Sequence, residues 1–376
     1  MSVASLTNFS PNNAFISLSL LALFFAGITY IEVNGTFYFI FYLCAITCLF
    51  FFRIKRVLFP SYCIITVLMI TAFILNYAAS SILTLVAHVG FISMSYIIAS
   101  SRGSLEALLI TIFRLHISFI IIISFLSILN PLLVSQIISF AVVHDEGVNR
   151  INGFATEPSY AGFLLAFIWF MLFRKDRVSM VWTCLAIASM LLLKSIFGFL
   201  LVGIIIMHLS GEKRVSLSYR FYILVAACLI IIFQIGDSYL SFKISSLFSN
   251  FTDLGNGPGA VRMSPYLYLN EIGWFNSLSL FGNGSGVFGS RYFDEYAFAI
   301  TEGTALSGHM AEFLYDYGVV LFLGLFVFCC VYFPAPLFVS IPLTLLVFLN
   351  TGIGSYLFVT YFIAVLQGLR HDKEAV

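Results

Sequence analysis

With 376 residues, 61% of them hydrophobic and only 9% charged, the chain cannot fold as a soluble domain, which carries roughly 25% charged residues. A mean hydropathy of +1.05 is more than any soluble core can bury, because surface scales too steeply with size, so the bilayer must solvate most of it. A formal net charge of +1 gives no electrostatic footprint for nucleic acid or for a polybasic membrane patch.

A membrane-crossing helix needs about 20 apolar residues, with a range of roughly 17–25. Runs of that kind occur in chain order at 14–33, 35–52, 57–78, 82–100, 107–129, 160–173, 219–236, 319–333, 335–350 and 356–369. No basic segment and no A-x-A cleavage site accompanies the first run, so it reads as a retained span. The stretch 178–209 is too long for one helix and is interrupted by Lys194-Ser195; it predicts two short spans meeting at a turn. The fold class is therefore all-α: a polytopic membrane bundle of about twelve transmembrane helices, forming one integral membrane domain over 1–376. Cys44, Cys48, Cys63, Cys184, Cys228, Cys329 and Cys330 all fall within apolar runs. They point to neither a disulfide framework nor a metal knuckle.

Basic residues in short loops set the orientation. With both termini in the cytoplasm, Arg53, Lys55, Arg56, Arg102, Arg174, Lys175, Arg177, Lys213, Arg214, Arg220, Arg370 and Lys373 fall inside. Arg150, Lys194, Lys243, Arg262 and Arg291 then fall outside. Two outer loops follow, at 130–159 and, much longer, at 237–318. Leu240, Ile244, Leu247, Phe248 and Phe251 recur at helical spacing, which predicts a short helix lying on the outer membrane surface or packed on the bundle.

Ionisable groups are costly in so apolar a chain and therefore informative. The first outer loop carries Arg150-Ile-Asn-Gly153-Phe-Ala-Thr-Glu157-Pro158-Ser159. Asn152-Gly153 marks a turn, and Pro158 suits the first position of the next helix, with Glu157 near its cap. In the second loop Arg262 precedes Ser264-Pro265, a helix start where free N–H groups and the dipole favour an anion. Phe281-Gly282-Asn283-Gly284-Ser285-Gly286 does not sit between a strand and a helix, so it reads as a tight turn with close backbone approach and not as a dinucleotide site. His309, then Glu312 and Asp316, stand just before the span that begins near Val319. Arg114 and His116 lie within a span, where snorkelling or pairing with a neighbouring helix is expected. The outer segments contain no Asp-x-Asp, His-x-x-x-His or Cys pair and no P-loop, so a bound divalent metal is not expected.

Arg150-x-x-Gly153-x-x-x-Glu157-Pro158-Ser159 resembles the motif in the first large periplasmic loop of Wzy-type O-antigen polymerases, whose superfamily also holds the O-antigen ligases. The Lys194-Ser195 hairpin resembles that family's Ser-Arg-Gly turn, although here the sequence reads Lys194-Ser195-Ile-Phe-Gly198. Arg262, the Gly282/Gly284 pair and His309 are similar to its second loop. The resemblance implies a fold like the C-type glycosyltransferases. It implies a bacterial inner-membrane enzyme, with its site facing the periplasm, that joins undecaprenyl-diphosphate-linked oligosaccharides. It also implies metal-independent transfer without a cofactor, and a polysaccharide chain-length regulator as partner.

On that reading Arg150 and Arg262, with help from Lys194, bind the donor diphosphate and stabilise its departing charge. Glu157 or His309 accepts the proton of the attacking sugar hydroxyl, and the transfer inverts the anomeric centre. Two alternatives remain open: a ligase moving finished glycan to lipid A core, and a flippase or transporter for the same lipid-linked unit, whose charges would sit within broken helices.

Overall fold

The computed structural model describes residues 11–25, 31–32, 36–37, 39–51, 54–101, 104–130, 134, 142–145, 148–151, 153–155, 158–211, 258–272, 279–295, 309–351 and 355–374. The run expected at 219–236 and the periodic stretch Leu240–Phe251 lie outside them. In each of the other expected runs a helix is present: α1 (Pro11–Phe24), α2 (Phe39–Phe51), α3 (Phe59–Leu75), α4 (Ile82–Ser100), α5 (Ser104–Leu129), α6 (Pro158–Phe173), α7 (Met180–Leu192) and α8 (Ile196–Gly211). The second outer segment contributes α9 (Pro258–Glu271) and α10 (Val287–Glu295), and the chain closes with α11 (His309–Tyr332), α12 (Leu337–Asn350) and α13 (Tyr356–Glu374).

Among the described residues, Ile82–Ser100, Glu106–Leu129 and Met310–Tyr332 are long and apolar enough to cross a membrane, and eight further helices are apolar but shorter. Large apolar side chains point outward from the bundle, among them Val67 at 58%, Phe125 at 62% and Ile128 at 79% exposure. In water such a belt would be an aggregation surface; against acyl chains it is the normal exterior.

Among the described residues the regular structure is helical apart from two small antiparallel ribbons, which the all-α expectation did not include. β1 (Ile31–Glu32) pairs with β2 (Thr36–Phe37), with Ile31 opposite Phe37. Asn34-Gly35 lies between these strands in sequence, a dipeptide that favours hairpins, so the first two apolar runs give shorter helices than their length implied. β3 (Val142–Asp145) pairs with β4 (Val148–Ile151), with Val143 opposite Arg150.

At the centre stand α6 and α13. Every residue from Ala161 to Leu172 is buried, and so is Tyr356 through Leu366; a helix apolar and buried all round is one surrounded by other helices. Small residues let the backbones close up. A Cβ on Gly198 would lie 2.6 Å from the Met190 carbonyl oxygen, and a Cβ on Gly162 would lie 3.6 Å from the Gly198 Cα. Polar bonds also tie the helices together: Trp169 Nε1 donates to Thr183 Oγ1 at 3.1 Å, and Thr344 and Tyr361 share a hydroxyl bond at 2.6 Å.

The helix ends fall into two sets. At one end Arg370 Nη1 donates to the Ala99 and Ser101 carbonyls, each at 3.0 Å. Arg177 Nε pairs with Glu106 at 2.9 Å, and the Lys55 N–H donates to Ser100 Oγ at 3.2 Å. Burial holds the Lys175 ammonium below the ordinary lysine value; Arg370 and Arg177 push the same way and Glu106 opposes them. Lys55, Arg56, Arg174, Lys175, Arg177 and Arg370 thus gather at this basic end. Antiparallel packing sends the α3–α4 turn, the start of α6, the Lys194 turn and the end of α12 to the opposite end.

Candidate functional site

The opposite end is organised by a broken helix. Within α11, Gly318 has φ 85° and ψ 170°, which ends one helical segment and starts another. A break of this kind strands backbone groups, since Tyr315 and Asp316 carbonyls lose their usual donors and Val319 and Val320 N–H groups lose their acceptors. The glycine-rich turn takes up all four. Asn283 and Gly284 N–H groups donate to the Tyr315 and Asp316 carbonyls at 3.0 and 3.1 Å, while Val319 and Val320 donate to Ser279 and Leu280 at 3.3 and 3.2 Å.

Only glycine fits that arrangement. Gly282, Gly284 and Gly286 have φ of 90°, 109° and 77°, in the region L side chains avoid. A Cβ on Gly282 would collide with the Asp316 carbonyl, and one on Gly318 with the Gly282 N–H and the Leu280 carbonyl. The expected tight turn is therefore present, and its partner is the break in α11. The same turn is pinned from the other side by the α3–α4 connection: Asn76 Nδ2 donates to the Gly282 carbonyl at 3.1 Å, and Ser81 and Ser285 exchange bonds of 2.7 and 2.8 Å.

Asp316 completes the joint. Its side chain is fully buried, and its two carboxylate oxygens accept the N–H groups of Gly286 at 2.6 Å and Phe288 at 2.9 Å. It thus caps α10 from a different helix, taking up N–H groups that the helix start leaves without partners. Next to it His88 of α4 shares a hydrogen bond with the Tyr317 hydroxyl at 2.9 Å. Glu312 lies close enough to interact electrostatically with Asp316, Tyr317 and Tyr42 of α2. Arg291, exposed on α10, donates to the Tyr315 hydroxyl at 2.8 Å. Tyr268, Phe288, Tyr292 and Tyr315 form a separate apolar cluster that binds α9 and α10 to α11.

Of the residues expected to carry chemistry, Lys194 has a described side chain. It occupies the turn between α7 and α8 with φ 49°, as the interrupted run at 178–209 implied. Arg150 is on β4, Arg262 on α9 and His309 is the first residue of α11; their side chains, and Glu157 altogether, lie outside the described residues. Pro158 opens α6 as expected. Arg262 does not precede a helix start: α9 begins at Pro258, and Pro265 is inside it. Proline suits that first position because its missing N–H would have no partner there, whereas an interior Pro265 leaves the Val261 carbonyl without its helical donor. The anion site expected at Ser264-Pro265 therefore has no helix N-terminus behind it. Tyr266 ties α9 down instead, donating to the Phe348 carbonyl at 3.0 Å, and burial pushes its hydroxyl above the ordinary tyrosine value.

Ile151 and residues 153–155 dip into the bundle. Ile151, Phe154 and Ala155 are buried, and Phe154 stacks on Phe119 at 4.1 Å and meets His116 at 5.0 Å and Phe25 at 4.9 Å. Gly153, with φ 61°, turns the chain beside Ile120 and Ala161. Arg114, also on α5, lies 5.2 Å above the Trp182 ring of α7, a pairing with a neighbouring helix that was one of the two expectations for it.

Sequence reasoning passed over Tyr42, His88 and Tyr317, and gave Glu312 and Asp316 no role. The available signal was the placing of two carboxylates within nine residues before a long apolar run. Among the described residues no group of three or more His, Cys, Asp or Glu side chains could hold a metal ion. No family model matches the chain. Neither a curated protein nor a solved structure is significantly similar to it.

Proposed function

We propose that this chain is a membrane polymerase that joins lipid-diphosphate-linked oligosaccharide units by glycosyl transfer. The observation that supports it best is the sharing of one bundle end. β4, the Lys194 turn, α9 and the start of α11, which carry Arg150, Lys194, Arg262 and His309, all lie away from the basic end. By the positive-inside rule the basic end is cytoplasmic, so these residues face outward, where a lipid-linked glycan is presented. A diphosphate leaving group needs cations, and Arg150, Arg262 and Lys194 supply them. The quoted motifs, similar to those of Wzy-type polymerases, supply the substrate class, and the twelve-span plan and inner-membrane location belong to the same reading.

In cells lacking the gene, complementation with Arg150→Ala or Arg262→Ala should give glycan of one repeat unit in place of long chains, with protein levels unchanged. Wild-type chain length from a well-expressed Arg262→Ala variant removes that residue from the mechanism. Bare lipid A core with stored lipid-linked chains identifies a ligase instead.

One observation favours a second reading. A helix broken at Gly318 beside a buried carboxylate is a feature of transporters. The break lies at the bundle end, however, and Asp316 there holds backbone N–H groups. Elongation of lipid-linked units by purified protein in detergent, with no second compartment, separates the two.

A further inference from the structure

Arg114 stands where a membrane helix rarely tolerates charge. It is on α5, about 12 Å beyond Glu106 at roughly 1.5 Å per residue, and it is exposed. Its outward stripe continues through Leu115, Ile122 and Phe125, which are 44%, 55% and 62% exposed. The guanidinium therefore shares a face with side chains that meet acyl chains.

A charge at such depth ordinarily pairs with an opposite charge or lines a wet cavity. α5 carries one acidic residue, Glu106, and α7 carries none. Glu106 is taken by Arg177 at 2.9 Å. Among the described residues no carboxylate pairs with Arg114, and its guanidinium makes no hydrogen bond. What it touches is an aromatic face, with the centre of the Trp182 ring 5.2 Å away.

That contact fixes the depth of the charge. Side chains on a helix slope toward its N-terminus, and α5 begins at the basic end, where Glu106 meets Arg177. Trp182 is in the first turn of α7, which starts at the same end. The guanidinium thus reaches down from the apolar stretch of α5 to the depth where tryptophan is favoured and lipid phosphates begin. Cation–π attraction holds the charge there while the N–H fork remains suited to an oxyanion.

We infer that Arg114 and Trp182 form a binding site for the phosphate of an anionic phospholipid, in the leaflet at the basic end. The guanidinium fork takes the phosphate oxygens. The indole lies against the glycerol region, and the acyl chains run along Leu115, Ile122 and Phe125. Because Glu106 and Arg177 offset one another, Arg114 leaves this edge with net positive charge, which favours an anionic headgroup over a zwitterionic one. The site is separate from the outer end and does not rest on the polymerase reading.

The test uses full-length protein reconstituted in phosphatidylcholine bilayers containing a small fraction of phosphatidylglycerol brominated on its acyl chains, which quenches nearby tryptophan. The Trp182 signal is the difference between wild type and Trp182→Phe, which removes the contributions of Trp169 and Trp274. Brominated phosphatidylglycerol should quench that signal with roughly five-fold higher apparent affinity than brominated phosphatidylcholine, the scale of one basic residue at an anionic headgroup. Arg114→Gln should abolish the preference, and Arg114→Lys should keep part of it. Equal quenching of wild-type Trp182 by the two lipids overturns the site without recourse to any variant. A preference that survives in reconstituted Arg114→Gln assigns it to other basic residues of that end and overturns the role of Arg114.

Discussion

A carboxylate buried at the end of a membrane helix usually marks a reaction or transport path, but Asp316 has a partner for each oxygen and both are backbone N–H groups. Asp316→Asn turns a donor toward one of those N–H groups, and a buried donor left without its acceptor costs about 1–3 kcal/mol. Thermal unfolding in detergent should show that loss, and an unchanged midpoint would mean that α10 is held by its aromatic contacts alone. Gly318→Ala should cost more than the roughly 1–3 kcal/mol of a strained dihedral, because its Cβ would also strike the Leu280 carbonyl and the Gly282 N–H. None of this was legible locally. The bond between His88 and Tyr317 joins residues 229 apart, and no periodicity or motif reports a contact of that range. The glycines were legible, since Gly-x-Gly-x-Gly outside a strand–helix setting already read as close backbone approach.

Among the elements, hydrophobic length placed the helices well and their boundaries less well. The apolar segment of α11 does begin at Val319, after the break at Gly318, but a further helical segment from His309 precedes it; that segment mixes Glu312, Asp316 and two tyrosines with apolar residues, which lowers the hydropathy without lowering the helix propensity. The β3–β4 hairpin was missed for a related reason: strands of four residues carry too little alternation to stand out from a loop. The Lys194 turn was found because a charged residue followed by a serine, in the middle of an over-long apolar run, has no other economical explanation. Tyr266 is the clearest single link between the outer elements and the bundle, bonding α9 to the last turn of α12. Tyr266→Phe removes that hydrogen bond and should loosen α9 selectively. Hydrogen exchange over 258–271 should speed up while α6 and α13 stay protected, and a global rise in exchange would contradict so local a role.

At the scale of the whole molecule, the division between a basic end and a glycine-bound, carboxylate-bearing end is the feature that orients the rest. Single cysteines introduced at Arg56 and Arg177, in a background without the native cysteines, should be labelled by an impermeant maleimide only after the cytoplasmic face is opened. Cysteines at Lys194 and Arg291 should react in intact spheroplasts, and the reverse pattern would turn the proposed site toward the cytoplasm and end the periplasmic reading. The most direct test of the central claim is chemical: incubate the purified full-length chain with lipid-diphosphate-linked repeat units, with and without EDTA, and separate the products by length. A ladder of multimers that forms equally in both conditions is the result expected of a metal-independent polymerase. Single units persisting unchanged, with protein that remains folded and binds the lipid-linked substrate, would contradict it.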